Sequence, residues 1–272
     1  MSRYAERIVC LTEETTETLY ALGEERRIVG ISGFTVRPPR ARREKPKVAA
    51  FTSAKIDRIL ALEPDLVLGF SDLQADIAAE LIRAGVAVHV FNQRSVAGIL
   101  RMIRTLGGII GCAQKAAAYA DELAQGLERL RERAADFPRR PRVYFEEWDE
   151  PPISGIGWVS ELVGLAGGDD VFPELARESL AKHRIIADPL EVVRRDPDIV
   201  VGSWCGKKFR PERVAERPGW GAMTAVKTGQ LHEIKAPLIL QPGPAALTDG
   251  VEALASIVAR WQAPGAVTSA GP

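Results

Sequence analysis

Two pairs of adjacent glutamates are the residues of this chain best suited to acid–base chemistry. Glu13 and Glu14 follow the first apolar run, and Glu146 and Glu147 close a β-rich run that begins at Arg142. Paired carboxylates can donate and accept protons during a reaction. Adjacent residues of an extended segment point to opposite faces, so we expect at most one glutamate of each pair to face a ligand.

The sequence motifs of several common enzyme classes are absent. Gly155 and Gly157 begin a dinucleotide-binding fingerprint, but Ser160 stands where its third glycine is required, and neither GxxxxGK[ST] nor GxSxG occurs. The histidines and cysteines are widely separated, which argues against a metal site and a disulfide framework. We therefore expect no catalytic residue, no bound metal and no resident cofactor. The residues concerned are His89, His183, His232, Cys10, Cys112 and Cys205.

Aromatic residues fall where the predicted strands end, although they make up only 6% of the chain. Ligands of open parallel sheets bind beyond the carboxyl ends of the strands. A concentration of aromatic side chains there predicts a cleft for a large, flat or apolar ligand. The alternative is that these rings only pack the tops of the lobes. The predicted ligand-binding residues at these ends are Thr12, Phe34, Phe51, Phe70, Glu147, Trp148 and Trp204.

A short basic loop follows Trp204 and adds a second kind of recognition. Lys207, Lys208 and Arg210 lie within six residues of this tryptophan. Three cations beside an aromatic ring could hold carboxylate or phosphate groups. The alternative is an ordinary solvated loop.

The elements that position these residues occur twice in the chain. Residues 56–69 align without gaps on residues 189–202, with an offset of 133 residues, as from Glu63 to Asp196. Both segments have the pattern of a short helix, an acidic-Pro-Asp turn and a buried strand. Arg7–Cys10 and Arg142–Phe145 repeat at nearly the same offset. The chain is therefore predicted to be α/β, with two Rossmann-like lobes that each have a central, mostly parallel sheet.

A long amphipathic helix is predicted between the two copies. Small and apolar residues recur every three or four positions between Gly111 and Phe137, which is the period of a single buried helical face. At ~1.5 Å per residue such a helix spans roughly 35 Å, so we predict a rigid backbone helix that joins the lobes, with the ligand cleft between them. The predicted divisions are an N-terminal lobe at 1–110, the helix at 111–137, a C-terminal lobe at 138–262 and a disordered tail at 263–272.

Charge and the amino-terminal segment bear on partners and compartment. Thirty-six basic residues balance 36 acidic ones, so no net field would attract nucleic acid, and nucleic-acid binding is not expected. The apolar run after Arg7 is too short for a signal peptide, and three scattered cysteines fit a reducing compartment. These features predict a cytoplasmic monomer, or a periplasmic protein if a signal sequence was removed.

Several segments together resemble one protein family. They are residues 7–9, 16–17, 22–23, 28–32 and 38–39, the run 56–68, and residues 154–155 and 166–168. They resemble the helical-backbone (class III) substrate-binding proteins of ABC importers, most closely those that bind vitamin B12. The resemblance implies two lobes joined by one rigid helix, with a ligand held between them. By position, Phe34, Phe51, Phe70 and Trp148 match pocket aromatics of that family, which makes a corrinoid such as cobalamin the leading ligand.

The sequence also departs from the pattern of that family. Where further pocket aromatics are expected in the second lobe, this chain has Arg184 and Leu238. Members of the family dock on their permease through one acidic residue on each lobe. Asp57 matches the first position, whereas the second is Leu190, with Glu191 one residue further.

The function predicted from the sequence is therefore non-catalytic binding of cobalamin or another corrinoid, with an ABC permease as a partner. One alternative is a ferric siderophore or haem, whose carboxylates would meet Lys207, Lys208 and Arg210. Another is a cytoplasmic sensor or enzyme that has reused the fold, with Glu147 and Cys205 as its reactive groups.

Overall fold

The chain divides into two compact units in a computed structural model that describes residues 3–263. The first unit comprises the residues up to Gln93, Ala97–Ala124 and Gln241–Ala245, and the second comprises Arg94–Val96, Gln125–Leu240 and the residues from Ala246 onward. The division falls inside the connecting helix, and residues 241–245 group with the first unit. The tail predicted at 263–272 lies, beyond Ala263, outside the described residues.

The first unit is built on a parallel sheet of five strands in the order β3-β2-β1-β4-β5. Its interior strands are almost wholly apolar, as expected for a sheet covered on both faces. The strands are β1 (Ile8–Cys10), β2 (Ile28–Ser32), β3 (Lys47–Ala49), β4 (Leu66–Phe70) and β5 (Val88–Phe91). The helices are α1 (Glu13–Ala21), α2 (Pro39–Glu44), α3 (Ile56–Leu60), α4 (Ala75–Arg83) and α5 (Val96–Ile109).

The second unit has a sheet in the order β10-β9-β6-β7, and a further short strand, β8, pairs with β6. Only the β6–β7 pair is antiparallel. The strands are β6 (Arg142–Asp149), β7 (Pro152–Ser154), β8 (Asp169–Asp170), β9 (Ile199–Gly202) and β10 (Leu231–Glu233). The helices are α7 (Gly157–Leu165), α8 (Pro173–Ala176), α9 (Leu190–Arg195), α10 (Pro211–Ala215), α11 (Thr224–Lys227), α12 (Ala236–Ile239) and α13 (Val251–Gln262). The predicted α/β class with two mostly parallel sheets is confirmed.

The predicted connecting helix is also confirmed, as α6 (Ala113–Ala135). The face predicted from the three- and four-residue spacing is buried along its whole length. The buried residues are Ala116, Ala120, Leu123, Leu127 and Leu130. None of the helices that the structure describes is both long enough and apolar enough to cross a bilayer.

The repeated acidic-Pro-Asp turn has the same conformation and the same kind of hydrogen bond in both units. Glu63 and Asp196 both adopt left-handed backbone conformations, with φ of 45° and 41°. Two residues later, the carboxylate of Asp65 accepts hydrogen bonds from the Glu6 and Arg7 amides at 2.7 and 3.0 Å. Asp198 likewise accepts from the Arg142 amide at 2.8 Å. The acidic-Pro-Asp sequence therefore fastens the start of the central strand of each sheet, which explains why it recurs.

Candidate ligand-binding site

The carboxyl end of β1 leads directly into a group of buried carboxylates. Thr12 precedes α1, and its buried hydroxyl donates to Glu14 Oε1 at 2.6 Å. Glu13 is also buried, and its Oε2 has no hydrogen-bond partner among the described residues. The predicted opposite orientation of this pair is wrong, because both glutamates lie in the first turn of α1 and not on an extended segment.

Burial is the main reason why the pKa values of Glu13 and Glu14 are raised. The pKa of Glu13 is raised to about 8, first by burial and then by the charge of the neighbouring Glu14. A hydrogen bond with the backbone of Val36 lowers this pKa, but by less. The pKa of Glu14 rises to about 7, mainly through burial and against the Thr12 hydrogen bond. Buried carboxyl groups of this kind are partly protonated near neutral pH.

Helix α1 also contacts residues 241–245, the late chain segment that groups with the first unit. Glu17 accepts from the Ala245 amide at 3.0 Å and from Arg37 Nε at 2.9 Å. Gly243 packs so closely on α1 that a Cβ atom there would lie 2.5 Å from the Cβ of Glu14. Proximity to this segment therefore contributes to the burial of the carboxylates.

The three predicted phenylalanines of the first unit lie at or just after the carboxyl ends of β2, β3 and β4 but differ in exposure. Phe34 is 59% exposed and Phe70 is 4% exposed, while Phe51 is half-buried. Buried Gln74 links two of them, because its side chain accepts from the Phe70 amide and donates to the Phe51 carbonyl, both at 2.8 Å. Gln74 was not predicted as a site residue, since its contact with the Phe51 carbonyl joins residues that lie 23 positions apart in the sequence.

In the second unit, Glu146 is a structural carboxylate inside the core. Arg217 donates to both of its oxygens at 2.6 and 2.9 Å, Trp204 Nε1 donates at 2.9 Å and the Tyr144 hydroxyl at 3.0 Å. Trp204 is 4% exposed, and its ring packs against Phe209 at 4.9 Å between centroids. The structure thus places Trp204 mainly in the core, although its edge lines a surface cavity of about 430 Å³.

Glu147 follows Glu146 at an irregularity in the pairing of β6 with β7. Its Oε2 accepts from Arg184 Nη2 at 2.6 Å. The Arg184 side chain is 1% exposed and that of Glu147 is 22% exposed. Burial raises the pKa of Glu147, while the charges of Arg184 and Arg94 act in the opposite direction.

Arg184, which replaces an expected pocket aromatic, is therefore held within the unit. The Nε of Arg184 donates to the Ser154 carbonyl at 3.3 Å. In return, the Ser154 amide donates to the Arg184 carbonyl at 3.1 Å. The other replaced position, Leu238, is half-buried in α12.

Trp148 is half-buried near the carboxyl end of β6 and carries a cation on its ring. Lys207 Nζ lies 4.1 Å from the ring centroid and also pairs with Asp149. The indole N–H donates to the Glu150 carbonyl at 2.9 Å. Lys208 and Arg210 are exposed. Of the three predicted clamp residues, Lys207 is thus already engaged by a carboxylate and an aromatic ring.

The two residues predicted for docking lie in the first turns of equivalent helices, α3 and α9. Asp57 is exposed. Glu191 accepts from Arg194 Nε at 2.7 Å and from Arg195 Nε at 3.0 Å. Leu190 beside it is 44% exposed.

The described residues contain no cluster of three or more metal-ligating side chains. Cys205 is exposed on the loop after β9 and forms no disulfide. Cys10, by contrast, is fully buried, and that burial raises the pKa of its thiol to about 12.

Comparison with known proteins identifies a family and several distant relatives. A family model described as "Periplasmic binding protein" matches residues 8–238. A "Cobalamin-binding protein" of Halobacterium salinarum is 24% identical over 245 residues, which cover 88% of this chain and 66% of that protein. The chain therefore spans about two thirds of the length of this relative. A "Vitamin B12-binding protein" of Vibrio cholerae is 25% identical over 254 residues, which cover 91% of this chain and 87% of the relative.

Solved structures agree on the fold. The periplasmic vitamin B12-binding protein of Vibrio cholerae superimposes with a TM-score of 0.76 at 24% identity, covering 96% of this chain and 99% of that one. A periplasmic heme-binding protein in complex with two hemes superimposes with a TM-score of 0.80 at 21% identity, covering 94% of this chain and 99% of that one.

Proposed function

Because the chain belongs to the periplasmic binding protein family, we propose that it binds a corrinoid, with cobalamin as the leading ligand, and catalyses no reaction. Trp148, half-buried near the carboxyl end of β6 with a cation over its ring, is the observation that carries this proposal. Aromatic faces are suited to cover a large, flat macrocycle. Exposed Phe34 offers a second such face in the first unit. The names of two relatives support cobalamin as the ligand.

Equilibrium titration with cobalamin tests this proposal through the visible spectrum of the corrin ring. We expect saturable binding at micromolar ligand, weakened at least tenfold by Trp148→Ala, because losing a stacked aromatic face costs roughly 1–1.5 kcal/mol or more. Trp261→Ala is the matched control, since Trp261 lies on α13 with Arg139 over its ring. A titration without saturable change at micromolar cobalamin would refute the proposal.

Haem or a ferric siderophore is the second candidate ligand. Its support is the pair of exposed cations, Lys208 and Arg210, which could meet carboxylates, together with the heme-binding neighbour of the same fold. Reversing the charge of both residues should weaken haem binding if this candidate is right. Unchanged haem affinity would count against it.

We also propose that the protein presents its ligand to an ABC permease from outside the cytoplasm. Structural neighbours that are periplasmic proteins support this compartment, and they give no support to the cytoplasmic prediction. Exposed Asp57 is the candidate docking residue of the first unit. Asp57→Lys should abolish ligand uptake by cells while leaving ligand affinity unchanged, and uptake at the normal rate would contradict this role.

The ligand should leave the protein chemically unchanged. Glu147 is paired with Arg184, and this arrangement supports a binding role for the carboxylate. Mass analysis of cobalamin recovered after prolonged incubation checks the point. A product that forms with the native chain but not with Glu147→Gln would show that the protein is an enzyme and that Glu147 takes part in the reaction.

A further inference from the structure

Phe34 is an exposed aromatic residue on a backbone that hydrogen bonds hold in place. It lies in the loop between β2 and α2, and 59% of its surface is exposed. Its amide donates to Ser32 Oγ at 3.2 Å, and the Thr35 amide donates to the Ser32 carbonyl at 3.1 Å. Thr35 itself is fully buried. The chain therefore forms a defined turn at Phe34, although most of the ring stays in contact with solvent.

Arg42 on α2 connects the two residues that flank Phe34. Its Nη1 donates to the Gly33 carbonyl at 2.6 Å and to the Thr35 carbonyl at 3.3 Å. The Gly33 amide in turn donates to the Ala49 carbonyl of β3 at 2.7 Å. Hydrogen bonds from a charged donor are stronger than those between neutral groups. The guanidinium group therefore stabilises the backbone on both sides of Phe34.

The far end of the same loop is fastened to α1. Arg37 Nε donates to Glu17 Oε1 at 2.9 Å, and both side chains are partly buried. The loop is therefore fixed by an ion pair at its end and by Arg42 next to the aromatic residue. Of these two contacts, the one made by Arg42 acts on the immediate neighbours of Phe34.

An exposed ring on an ordered backbone is suited to binding. Ordering a flexible loop opposes association, so a ring that is already in place binds a ligand more tightly than one that must first be ordered. We propose that Arg42 is a positioning residue, which holds the backbone at Phe34 in the conformation that receives the ligand. The inference rests on the proposed binding function and adds to it a residue that acts through Phe34.

A double-mutant cycle in the full chain tests this coupling. Cobalamin is titrated against the native chain, Arg42→Met, Phe34→Ala and the variant with both changes. Methionine has a long apolar side chain but no hydrogen-bond donor, so Arg42→Met should weaken binding about fivefold. Phe34→Ala should weaken it about tenfold, because an aromatic face is lost. The double variant should bind within about twofold of Phe34→Ala, since Arg42 then has no ring to position.

The cycle has two outcomes that would overturn the inference. One is unchanged cobalamin affinity in Arg42→Met. The other is equal weakening by Arg42→Met with and without the Phe34 ring, because Arg42 would then act on the ligand independently of Phe34. Arg43→Met is the matched control, since it removes the adjacent exposed charge of α2 and should bind as the native chain does. Thermal unfolding verifies that Arg42→Met folds.

Amide hydrogen exchange of the ligand-free chain gives a second readout. Arg42→Met should raise exchange in residues 33–36 about fivefold and leave β1 and β4 unchanged, because only the loop loses hydrogen bonds. Unchanged exchange in this loop would also overturn the inference.

Repeating the cycle with haem separates the inference from the identity of the ligand. If cobalamin fails to bind but haem shows the coupling between Arg42 and Phe34, the corrinoid proposal fails and the inference stands. If cobalamin binds and the two changes are additive, the inference fails and the corrinoid proposal stands. If neither ligand binds, both fail.

Discussion

Buried carboxylates on α1 should make the stability of the chain unusually sensitive to pH. Glu13 and Glu14 have pKa values of about 8 and about 7, compared with an ordinary 4.5. Folding therefore favours their protonated forms. Their stabilising contribution is complete below pH 4.5 and is lost as the pH rises through 7 and 8.

We expect the free energy of unfolding to fall between pH 5 and pH 9, by on the order of 3 kcal/mol from Glu13. Glu13→Gln should remove most of that fall, because the amide cannot ionise. Urea unfolding at pH 5, 7 and 9 measures the effect, with Glu80→Gln on the exposed side of α4 as the control. Equal pH dependence of the native chain and Glu13→Gln would show that Glu13 is not buried as described.

Individual site residues were predictable only where the local backbone determined their orientation. Glu146 and Glu147 differ in burial, as strand alternation predicts, because Glu146 is fully buried and Glu147 is half-buried. Glu13 and Glu14 broke the same rule because the chain is already helical there. The role of Arg184 could not be foreseen, since its contact with Glu147 depends on β7, which the sequence pattern did not reveal.

At the scale of elements, the packing of α5 on α6 depends on one glycine. A Cβ atom at Gly107 would lie 2.1 Å from the Cβ of Ala116, whereas one at Gly108 would meet nothing within 4 Å. Gly107→Ala should therefore destabilise the chain by about 1–3 kcal/mol or more through overpacking. Gly108→Ala should be neutral or stabilising by up to ~1 kcal/mol, because alanine is the better helix former.

Chemical denaturation of the two alanine variants measures this contrast between adjacent residues. Similar unfolding free energies for Gly107→Ala and Gly108→Ala would contradict the close approach of the two helices.

Elements that depend on local pattern were the most predictable part of the fold. The connecting helix and both repeated turns lie where spacing and the acidic-Pro-Asp sequence predicted them. Strand β7 was not identified, because three residues beside a tight turn carry no distinctive periodicity, and its pairing with β6 and with Ile185 depends on the tertiary structure. Short helices such as α8 and α11 were missed for the same reason.

At the scale of the whole chain, the duplication was visible in the sequence, but the exact composition of each unit was not. Residues 241–245 belong to the first unit, where Gln93 Nε2 donates to the Pro242 carbonyl at 2.9 Å. This hydrogen bond spans 149 residues, a separation that no local pattern can report. The predicted cleft between the lobes stays a prediction.

Ligand identity is the central claim about the molecule, and native mass spectrometry tests it most directly. The full chain is mixed with equimolar cobalamin and haem, and the masses of the complexes are measured. We expect a single one-to-one complex with cobalamin and little haem adduct. A spectrum with only the haem complex, or with only the free chain, would contradict it.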